Sequence, residues 1–157
     1  AKGRLEPVGK KQKVIFIDYA HTPDALEKTL KSIKIEYPNN KIITVFGCGG
    51  GRDKAKRPLM GKIASTLSDK VIFTSDNPRN EDPEKIIKQI EAGVPAEHFK
   101  KYISISSRSQ AIKTACQLAH KGDIILLAGK GHETYQDVKG ERLVFDDTKE
   151  LKSNLQK

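Results

Sequence analysis

The stretch KIITVFGCGGGRDKAKRPLMGKIASTLS (residues 41–68) contains the unit that decides the fold. It begins with an apolar run rich in β-branched residues, passes through a glycine-rich turn and continues with apolar residues at helical spacing. A short apolar run of this kind is typical of a strand that is buried on both faces of a sheet. The stretch therefore predicts a strand–turn–helix unit of an α/β protein.

The same alternation extends in both directions along the chain. Further apolar runs predict strands at VIFID (14–18), KVIFTS (70–75), KYISIS (101–106) and DIILLAG (123–129). Apolar residues at helical spacing predict helices in PDALEKTLKSIKIE (23–36), DPEKIIKQIEAG (82–93) and SRSQAIKTACQLAHK (107–121). Alternating strands and helices predict an α/β fold, Rossmann-like and doubly wound, with a mainly parallel sheet and helices on both faces.

The last part of the chain has a different pattern. In QDVKGERLVFDD (136–147), a Lys139–Gly140 turn lies between two extended runs and predicts a hairpin. We expect this C-terminal hairpin to add an antiparallel edge strand to the sheet, and a short helix to follow in DTKELKSNLQK (147–157). Because no linker or internal repeat interrupts the pattern, residues 1–157 are predicted to form a single domain.

Composition narrows the classes of function. Of the 157 residues, 36% are hydrophobic and 31% are charged, as in an ordinary soluble protein. No apolar run approaches the roughly 18 residues of a membrane span, and no signal peptide is apparent, so we expect a cytoplasmic protein without a membrane partner. The chain does not begin with Met, which indicates part of something longer. Cys48 and Cys116 lack metal-ligand spacing and are expected to be reduced thiols.

The net charge of +9 raises the alternative of a nucleic-acid-binding protein. However, the lysines alternate with apolar residues along predicted helices, and no aromatic residues are interleaved among them to stack on bases. We therefore expect no nucleic-acid partner. A stand-alone module for nucleotides or nucleic acid remains the alternative from another class, and it predicts binding that falls steeply with salt.

Polar residues cluster in loops that follow the predicted strands. These loops are DYAHTPD (18–24), GCGGGRDKAKRP (47–58), SDNPRNEDP (75–83) and AGKGHETYQ (128–136). Ligands of open α/β sheets bind beyond the carboxyl ends of the strands. The four loops are therefore the predicted ligand site.

The glycine-rich loop predicts an anion site rather than a dinucleotide site. The fingerprint G-x-G-x-x-G fails because Arg52 stands at the third glycine position, which disfavours a nicotinamide oxidoreductase, and no Walker A pattern is present. What remains is a set of free backbone N–H groups at a helix N-terminus. Basic side chains lie close by, at Arg52, Lys54, Lys56 and Arg57. Such a loop suits an anionic ligand.

The loop SDNPRNEDP suits a ligand that carries charges of both signs. Asp76 can bind an ammonium group, Asn77 can both donate and accept, and Arg79 can hold a carboxylate through two parallel hydrogen bonds. Pro78 stiffens the turn between them. A turn that only prepares the capped helix at Asp82 would leave the arginine unexplained. The segment therefore predicts a site for a zwitterionic amino acid.

The remaining loops add weaker signals. Gly129 would let a ligand approach the backbone, and Glu133 could bind a second ammonium group. Asp18 could accept hydrogen bonds from ribose hydroxyls, whereas His21 is as consistent with capping the next helix as with binding a ligand. His132 is not expected to bind metal, because the pattern H-E-x-x-H is not completed. No nucleophile with a base beside it is recognisable, so the sequence favours a site that binds over one that completes chemistry.

Together, the four loops resemble the C-terminal domain of the Mur ligases over nearly the whole chain, from GRLEPV to FDD. The segment DNPR is similar to that of the MurE branch, which adds meso-diaminopimelate to UDP-N-acetylmuramoyl-L-alanyl-D-glutamate in peptidoglycan synthesis. In this family ATP phosphorylates a carboxylate of the precursor, and the amino group of the incoming amino acid attacks the acyl phosphate. A relative that adds L-lysine is the alternative within the family, although such relatives usually lack the arginine of DNPR.

The resemblance implies two sets of binding residues. The amino acid would be bound by Arg52, Asp76, Asn77, Pro78, Arg79, Gly129 and Glu133. ATP would be contacted by Arg4, Asp18, His21 and Lys54. Because meso-diaminopimelate has a distal carboxylate that lysine lacks, the resemblance implies that Arg79 and Arg52 hold this group.

The resemblance also implies what lies outside these residues. In the family the ATP-binding P-loop, the Mg²⁺-binding residues and a carbamylated lysine belong to a central domain. The UDP-MurNAc-dipeptide is bound through an N-terminal domain. We therefore expect the chain to be the C-terminal domain of a monomeric cytoplasmic ligase that uses ATP and Mg²⁺. We expect it to have no catalytic or metal-binding residue of its own and to turn over no substrate alone.

Overall fold

A mainly parallel sheet forms the centre of the fold in the computed structural model, which describes residues 6–7, 14–130, 133, 135–144 and 146–155. Its strands are β1 (Glu6–Pro7), β2 (Val14–Asp18), β3 (Ile42–Phe46), β4 (Lys70–Phe73), β5 (Tyr102–Ser104) and β6 (Ile124–Ala128). They lie in the order β1-β2-β6-β3-β4-β5, with β1 antiparallel to β2 and all other neighbours parallel. The predicted parallel α/β architecture is confirmed, whereas β1 is a strand that periodicity did not reveal.

Helices connect the strands in the predicted alternation. They are α1 (Pro23–Glu36), α2 (Lys56–Leu67), α3 (Pro83–Glu91), α4 (Arg108–Leu118) and α5 (Asp147–Leu155), with a short 3₁₀ helix at Ala96–Lys101. The side chains of Thr22, Asp82 and Ser107 each accept a hydrogen bond from a backbone N–H of the first helical turn. They therefore cap α1, α3 and α4, and a proline at the first position helps α1 and α3 to begin.

The sheet is covered on both faces, as its near-continuous apolar strands require. Along β6, Ile124 and Leu126 face the cluster built by α1, α2 and α3. The alternate residues Ile125 and Leu127 face a second cluster, to which α4 contributes. No helix within the described ranges is long and apolar enough to cross a membrane. Cys48 and Cys116 are both buried, and neither forms a disulfide.

A buried ion pair ties α5 to the strand ends. Arg108 at the start of α4 donates to Asp147 through Nε (2.8 Å) and Nη2 (2.7 Å), and both side chains are fully buried. The same guanidinium also donates to the backbone carbonyls of Ser75 (3.0 Å) and Ala128 (3.3 Å). Arg108 therefore fixes the ends of two strands at the point where the chain enters the predicted site loops.

The C-terminal hairpin does not extend the central sheet, which corrects the expectation of an antiparallel edge strand. β7 (Tyr135–Val138) and β8 (Glu141–Val144) pair with each other in a separate two-stranded sheet. The reason lies in β6, which is already paired on both sides, so the chain that leaves it has no free edge beside it. The hairpin instead folds over the site, where the Lys139 N–H donates to the carbonyl of Arg79 (2.7 Å).

Candidate functional site

A cavity of about 260 Å³ opens where the carboxyl ends of the parallel strands meet. Most of the residues predicted from the loops line it, namely His21, Arg52, Asp76, Asn77, Arg79, Gly129 and Glu133. Lys56, named among the bases of the predicted anion site, also lines the cavity, and further residues of the same loops complete the lining, namely Tyr19, Gly47, Cys48 and Gly49. The structure therefore brings together all four predicted loops around one cavity.

One wall of the cavity is basic. The Arg79 backbone adopts a positive φ of 55°, which is uncommon for a residue other than glycine, and its Nη1 donates to the carbonyl of Gly50 at 2.9 Å. The Gly50 N–H in turn donates to the carbonyl of Asn77 at 2.7 Å. These two hydrogen bonds join the glycine-rich loop to the DNPR turn, so that Arg52 and Arg79 lie on the same wall.

Gly49 is the close contact between the two arginines. A Cβ built on Gly49 would lie 2.9 Å from Nη1 of Arg79 and 3.5 Å from Cγ of Arg52. The lack of a side chain at this position lets both arginines pass beside the loop into the cavity. This explains one of the loop's glycines by the space around it rather than by flexibility.

The floor of the cavity is acidic and is organised by a lysine. The Lys130 side chain is fully buried, and its Nζ lies 3.0 Å from Asn77 Oδ1, 3.2 Å from Asp76 Oδ1 and 3.6 Å from Glu133 Oε1. The contact with Asp76 is an ion pair that does not meet hydrogen-bond geometry. Because two carboxylates share one buried ammonium, the floor keeps an excess of negative charge. Such a floor suits an ammonium group of a ligand.

Neighbouring groups hold the acidic floor in place. The Tyr19 hydroxyl donates to Glu133 Oε2 at 3.2 Å, and the Gln136 amide from the hairpin donates to the Asp76 carbonyl at 2.7 Å. Gly129 has a φ of 112°, a conformation that favours glycine, and its N–H donates to the Asp18 carbonyl at 3.0 Å. Basic wall and acidic floor together can bind a carboxylate and an ammonium group of one small molecule.

Some predicted site residues lie away from the cavity lining. The Asp18 carboxylate accepts hydrogen bonds from its neighbour's backbone N–H at Tyr19 (2.7 Å) and from the hydroxyl of Thr29 in α1, and the residue is buried. Lys54 is 64% exposed and pairs with Glu81 at 3.6 Å. Pro78 is buried behind the wall, with its carbonyl against Gly50.

Arg4, Gly131 and His132 lie outside the described residues. Within the described residues, no group of three or more His, Cys, Asp or Glu side chains is arranged to hold a metal ion. The roles of Arg4, Asp18, His21 and Lys54 toward ATP stay predictions.

His21 does not cap the helix, whereas Cys48 is the unreactive thiol that the sequence suggested. Thr22, not His21, caps α1. The His21 ring packs edge-on against the ring of Tyr19, with 5.2 Å between ring centroids, and lines the cavity. Burial raises the pKa of the Cys48 thiol to about 12, and Sγ lies 3.7 Å from the Met60 sulfur. Cys48 is thus a neutral packing residue at neutral pH rather than a nucleophile.

Lys130 is the functional residue that the sequence reasoning missed. It stands in AGKGHETYQ between two glycines, directly after the fully buried strand β6. A charged residue at that position must find partners when the strand end is covered, and this was the available signal. Its partners could not be identified from the sequence, because they come together only when β4 and β6 lie on either side of β3. That strand order is known only from the structure.

Comparisons with known proteins agree with this geometry. The family description "Mur ligase, glutamate ligase domain" matches residues 3–131. The UDP-N-acetylmuramoyl-L-alanyl-D-glutamate–2,6-diaminopimelate ligase of Cytophaga hutchinsonii is 53% identical over 156 residues, which are 99% of this chain and 32% of that protein. The ligase of the same name from Bacteroides thetaiotaomicron is 53% identical over 152 residues, 96% of this chain and 32% of its own length. The chain thus spans about a third of the length of these curated relatives.

Solved structures give the same result for the fold. A UDP-N-acetylmuramoyl-L-alanyl-D-glutamate–2,6-diaminopimelate ligase superposes with a TM-score of 0.91 at 44% identity, covering 99% of this chain and 32% of that one. A murein peptide ligase from Psychrobacter arcticus superposes with a TM-score of 0.70 at 19% identity, covering 98% of this chain and 30% of that one. The second likeness concerns the fold alone.

Proposed function

The chain belongs to the Mur ligase family through its glutamate ligase domain, and on that premise we propose that it is the amino-acid-binding domain of a meso-diaminopimelate-adding ligase. The complete enzyme would use ATP to join meso-diaminopimelate to UDP-N-acetylmuramoyl-L-alanyl-D-glutamate in peptidoglycan synthesis. Residues 1–157 would be its C-terminal domain, in a monomeric cytoplasmic protein. The nucleotide-sugar site and most of the ATP site would lie in N-terminal and central domains.

The observation that carries the proposal is the pairing of a basic wall with an acidic floor. All four charged residues line the cavity, with Arg52 and Arg79 in the basic wall and Asp76 and Glu133 in the acidic floor. meso-Diaminopimelate carries two carboxylates and two ammonium groups, so both sides find partners on one ligand. A planar guanidinium can hold a carboxylate through two parallel hydrogen bonds, which a lysine at the same position cannot.

The distal carboxylate favours meso-diaminopimelate over L-lysine as the substrate. L-Lysine offers an ammonium group but no second carboxylate for Arg52 and Arg79. When lysine binds, these guanidinium groups lack the distal carboxylate as a partner in a partly enclosed cavity. The binding free energy of lysine is therefore less favourable. The relatives that are 53% identical are named as diaminopimelate ligases, which supports the same choice.

The domain would contribute orientation to the reaction. In the family chemistry an acyl phosphate forms on the precursor from ATP, and the neutral amine of the amino acid displaces phosphate to form the peptide bond. Asp76 and Glu133 would bind one ammonium group of the ligand, while the distal carboxylate anchored at Arg52 and Arg79 fixes which amine points out of the cavity. That amine must lose a proton before it attacks, and no residue of this chain is assigned to accept the proton.

ATP and Mg²⁺ are proposed to bind mainly outside this chain. Arg4, Asp18, His21 and Lys54 are the proposed contacts of this domain with ATP. His21 lines the cavity and Lys54 lies on the exposed side of the glycine-rich loop, positions that suit contacts with anionic phosphates. Asp18 would reach a ribose hydroxyl only by exchanging its hydrogen bond with Thr29.

The test is a pair of titrations of the chain, with meso-diaminopimelate and with L-lysine, followed through backbone amide shifts in NMR spectra. We expect shifts at residues 49–52, 76–79 and 129–133 with the diacid, and an affinity for lysine that is lower by roughly 10- to 100-fold, the equivalent of one or two charge-assisted hydrogen bonds. Equal affinity for both amino acids would contradict the selectivity. No response to either would contradict the assignment of the amino-acid site to this domain.

A variant and a matched control sharpen the test. Arg79→Ala removes the guanidinium, and we expect the preference for meso-diaminopimelate to disappear. Lys34→Ala removes one positive charge from the exposed side of α1 and is expected to leave both affinities unchanged. If both variants lower the affinity equally, the effect is one of net charge, and the proposed contact is wrong.

A further inference from the structure

Behind the basic wall, Arg57 and Glu81 form an ion pair that does not line the cavity. Arg57, in the first turn of α2, is fully buried, and Glu81, just before α3, has a side chain that is 25% exposed. Nη2 of Arg57 lies 2.8 Å from Oε2 of Glu81, and Nη1 lies 3.2 Å from Oε1. The two groups therefore meet through two parallel hydrogen bonds, the geometry in which an arginine–carboxylate pair is most specific.

The pair holds the backbone of the glycine-rich loop. Oε2 of Glu81 accepts a hydrogen bond from the N–H of Gly51 at 2.6 Å. Nη2 of Arg57 donates to the carbonyl of Gly49 at 2.8 Å. A donor and an acceptor of the loop, two residues apart, are thus bound from the same side. A glycine-rich segment loses more backbone freedom on ordering than any other, so it needs such contacts to keep one conformation.

The pair is itself anchored outside the loop. Nη1 of Arg57 donates to the side-chain carbonyl of Gln89 in α3 at 2.8 Å. Lys54 adds a second cation at 3.6 Å from Glu81. We call the pair of Arg57 and Glu81 the clamp. It connects α2 and α3, the helices before and after β4 in the chain, to the loop that follows β3.

The loop determines where the two cavity arginines lie. Gly49 packs between Arg52 and Arg79, and the Gly50 carbonyl accepts from the Arg79 guanidinium. A shift of the loop would therefore move both guanidinium groups, although neither touches Glu81 within hydrogen-bond distance among the contacts described. The clamp acts on the site through the backbone.

We propose that Arg57 and Glu81 are positioning residues that set the selectivity of the site for a diacid by holding the glycine-rich loop against the DNPR turn. This inference rests on the proposed function, since the ligand whose distal carboxylate they serve is meso-diaminopimelate. Arg57 and Glu81 do not line the cavity, and neither is among the described contacts of Lys130, so we expect the pair to affect the carboxylate side of the site and to leave the ammonium side as it is.

The protonation state of Glu81 is compatible with this arrangement. The hydrogen bonds from Arg57 and from the Gly51 N–H lower the pKa of Glu81 to about 2. The carboxylate is therefore charged throughout the neutral range, and the clamp is present under the conditions of a binding assay.

The first experiment compares Glu81→Gln with Glu27→Gln. Both replace a carboxylate with an amide, but Glu27 lies on α1 and forms a surface pair with Lys31, where its side chain is 43% exposed. For Glu81→Gln we expect the affinity for meso-diaminopimelate to fall about tenfold, the effect of losing one charge-assisted hydrogen-bond arrangement. The affinity for L-lysine is expected to stay unchanged, so that the ratio of the two affinities falls. Glu27→Gln is expected to leave the ratio as in the unmodified chain.

A merely structural role would give a different result. General destabilisation lowers both affinities together and does not change their ratio. Glu81→Asp keeps the charge on a side chain one methylene shorter, and it is expected to restore part of the selectivity. If Glu81→Gln leaves the ratio unchanged while the unmodified chain prefers the diacid, the positioning role is wrong and the proposed function stands.

A second measurement needs no ligand. Amide hydrogen exchange at Gly50 reports the hydrogen bond to Asn77, whose two atoms are unchanged by the substitution at Glu81. We expect this exchange to become about tenfold faster in Glu81→Gln, while exchange at Val45 in the middle of β3 keeps its rate. If exchange at Gly50 is unchanged in Glu81→Gln, the inference is wrong, even if the chain binds neither amino acid. If exchange is faster in Glu81→Gln but the unmodified chain does not prefer the diacid, the proposed function is wrong instead.

Discussion

Two fully buried arginines hold this domain together, and they do so in different ways. Arg108 pairs with Asp147, which is also fully buried, and fixes the ends of β4 and β6. Arg57 pairs with Glu81, which is 25% exposed, and fixes a loop. Arg57 Nε, moreover, has no hydrogen-bond partner in the described part of the chain. Breaking a pair in which both charges are buried is costly, whereas at the Arg57 pair water reaches part of the Glu81 side chain.

The difference shows how the two halves of the cavity are built. The acidic floor stands on strand ends that Arg108 ties to two helices, so it is part of the domain's stability. The basic wall stands on a loop whose clamp reaches solvent, so it can loosen while the sheet stays intact. Under the proposed function, we therefore expect recognition of the carboxylates to be separable from folding and recognition of the ammonium group to depend on it.

The largest expected effect tests the Arg108 side of this comparison. Asp147→Asn keeps the shape of the side chain and leaves the guanidinium of Arg108 without its counter-charge. We expect the free energy of unfolding to fall by about 3 kcal/mol or more, as for other broken buried pairs. Urea unfolding followed by circular dichroism measures this value.

The matched change at the other arginine gives the contrast. For Glu81→Gln the same measurement is expected to show a smaller loss, about 1–2 kcal/mol, because water reaches part of this side chain and its amide oxygen can still accept a hydrogen bond from Arg57. Equal losses for Asp147→Asn and Glu81→Gln would end the distinction between the two clamps.

The two buried thiols provide a local readout of the same distinction. Cys48 lies beside the glycine-rich loop, and Cys116 lies on the buried face of α4. In Glu81→Gln we expect labelling by a thiol reagent to become several-fold faster at Cys48 alone, since only the loop opens more often. In Asp147→Asn both thiols should react faster, because the whole domain unfolds more often. Labelling that rises at both thiols in Glu81→Gln would contradict a loop-specific clamp.

The pH dependence of Glu81 sharpens the comparison further. Its pKa is lowered from 4.5 to about 2, chiefly by the hydrogen bond from Arg57 and then by that from the Gly51 N–H, with Lys54 adding attraction. A lowered carboxylate pKa contributes stability above the unfolded value, and this contribution is lost as the pH falls toward 2. The difference in unfolding free energy between the unmodified chain and Glu81→Gln should therefore be constant above about pH 5 and shrink below it. A difference that grows on acidification would show that the sign is wrong.

The smallest effect on stability is expected for Gly49→Ala. The added Cβ would meet the flexible end of Arg79 at 2.9 Å, so the side chain can move aside and the unfolding free energy should fall by less than about 1 kcal/mol. The displaced guanidinium should nevertheless weaken binding of meso-diaminopimelate by several-fold in the same titrations. Unchanged binding would mean that Arg79 tolerates the displacement.

Much of the fold follows from local sequence. Strands such as IITVF are continuously apolar because both faces of the sheet are covered, and Thr22, Asp82 and Ser107 mark helix starts by their capping chemistry. The rule that ligands bind beyond the carboxyl ends of strands then locates the site. Periodicity and capping are local properties, and for that reason they can be recognised without a structure.

What could not be predicted depends on contacts between distant segments. Arg57 was expected among the bases of an anion site, but it is buried away from the cavity, where Glu81, 24 residues later, lies against it. Lys130 becomes the centre of the floor only because β4 and β6 flank β3. The hairpin folds over the site because β6 has no free edge. Each of these outcomes requires the strand order, which local patterns do not contain.

At Arg79, selection for stability and selection for function favour different properties of the residue. Its φ of 55° costs a residue with a side chain on the order of 1 kcal/mol relative to glycine. Its carbonyl, bound by the Lys139 N–H, would be as well served by any residue in that conformation. For stability, glycine at this position gains an unstrained backbone and loses the hydrogen bond from the guanidinium to Gly50, whereas under the proposed function growth also requires the guanidinium. Libraries built to improve the yield of this domain should therefore leave position 79 unvaried.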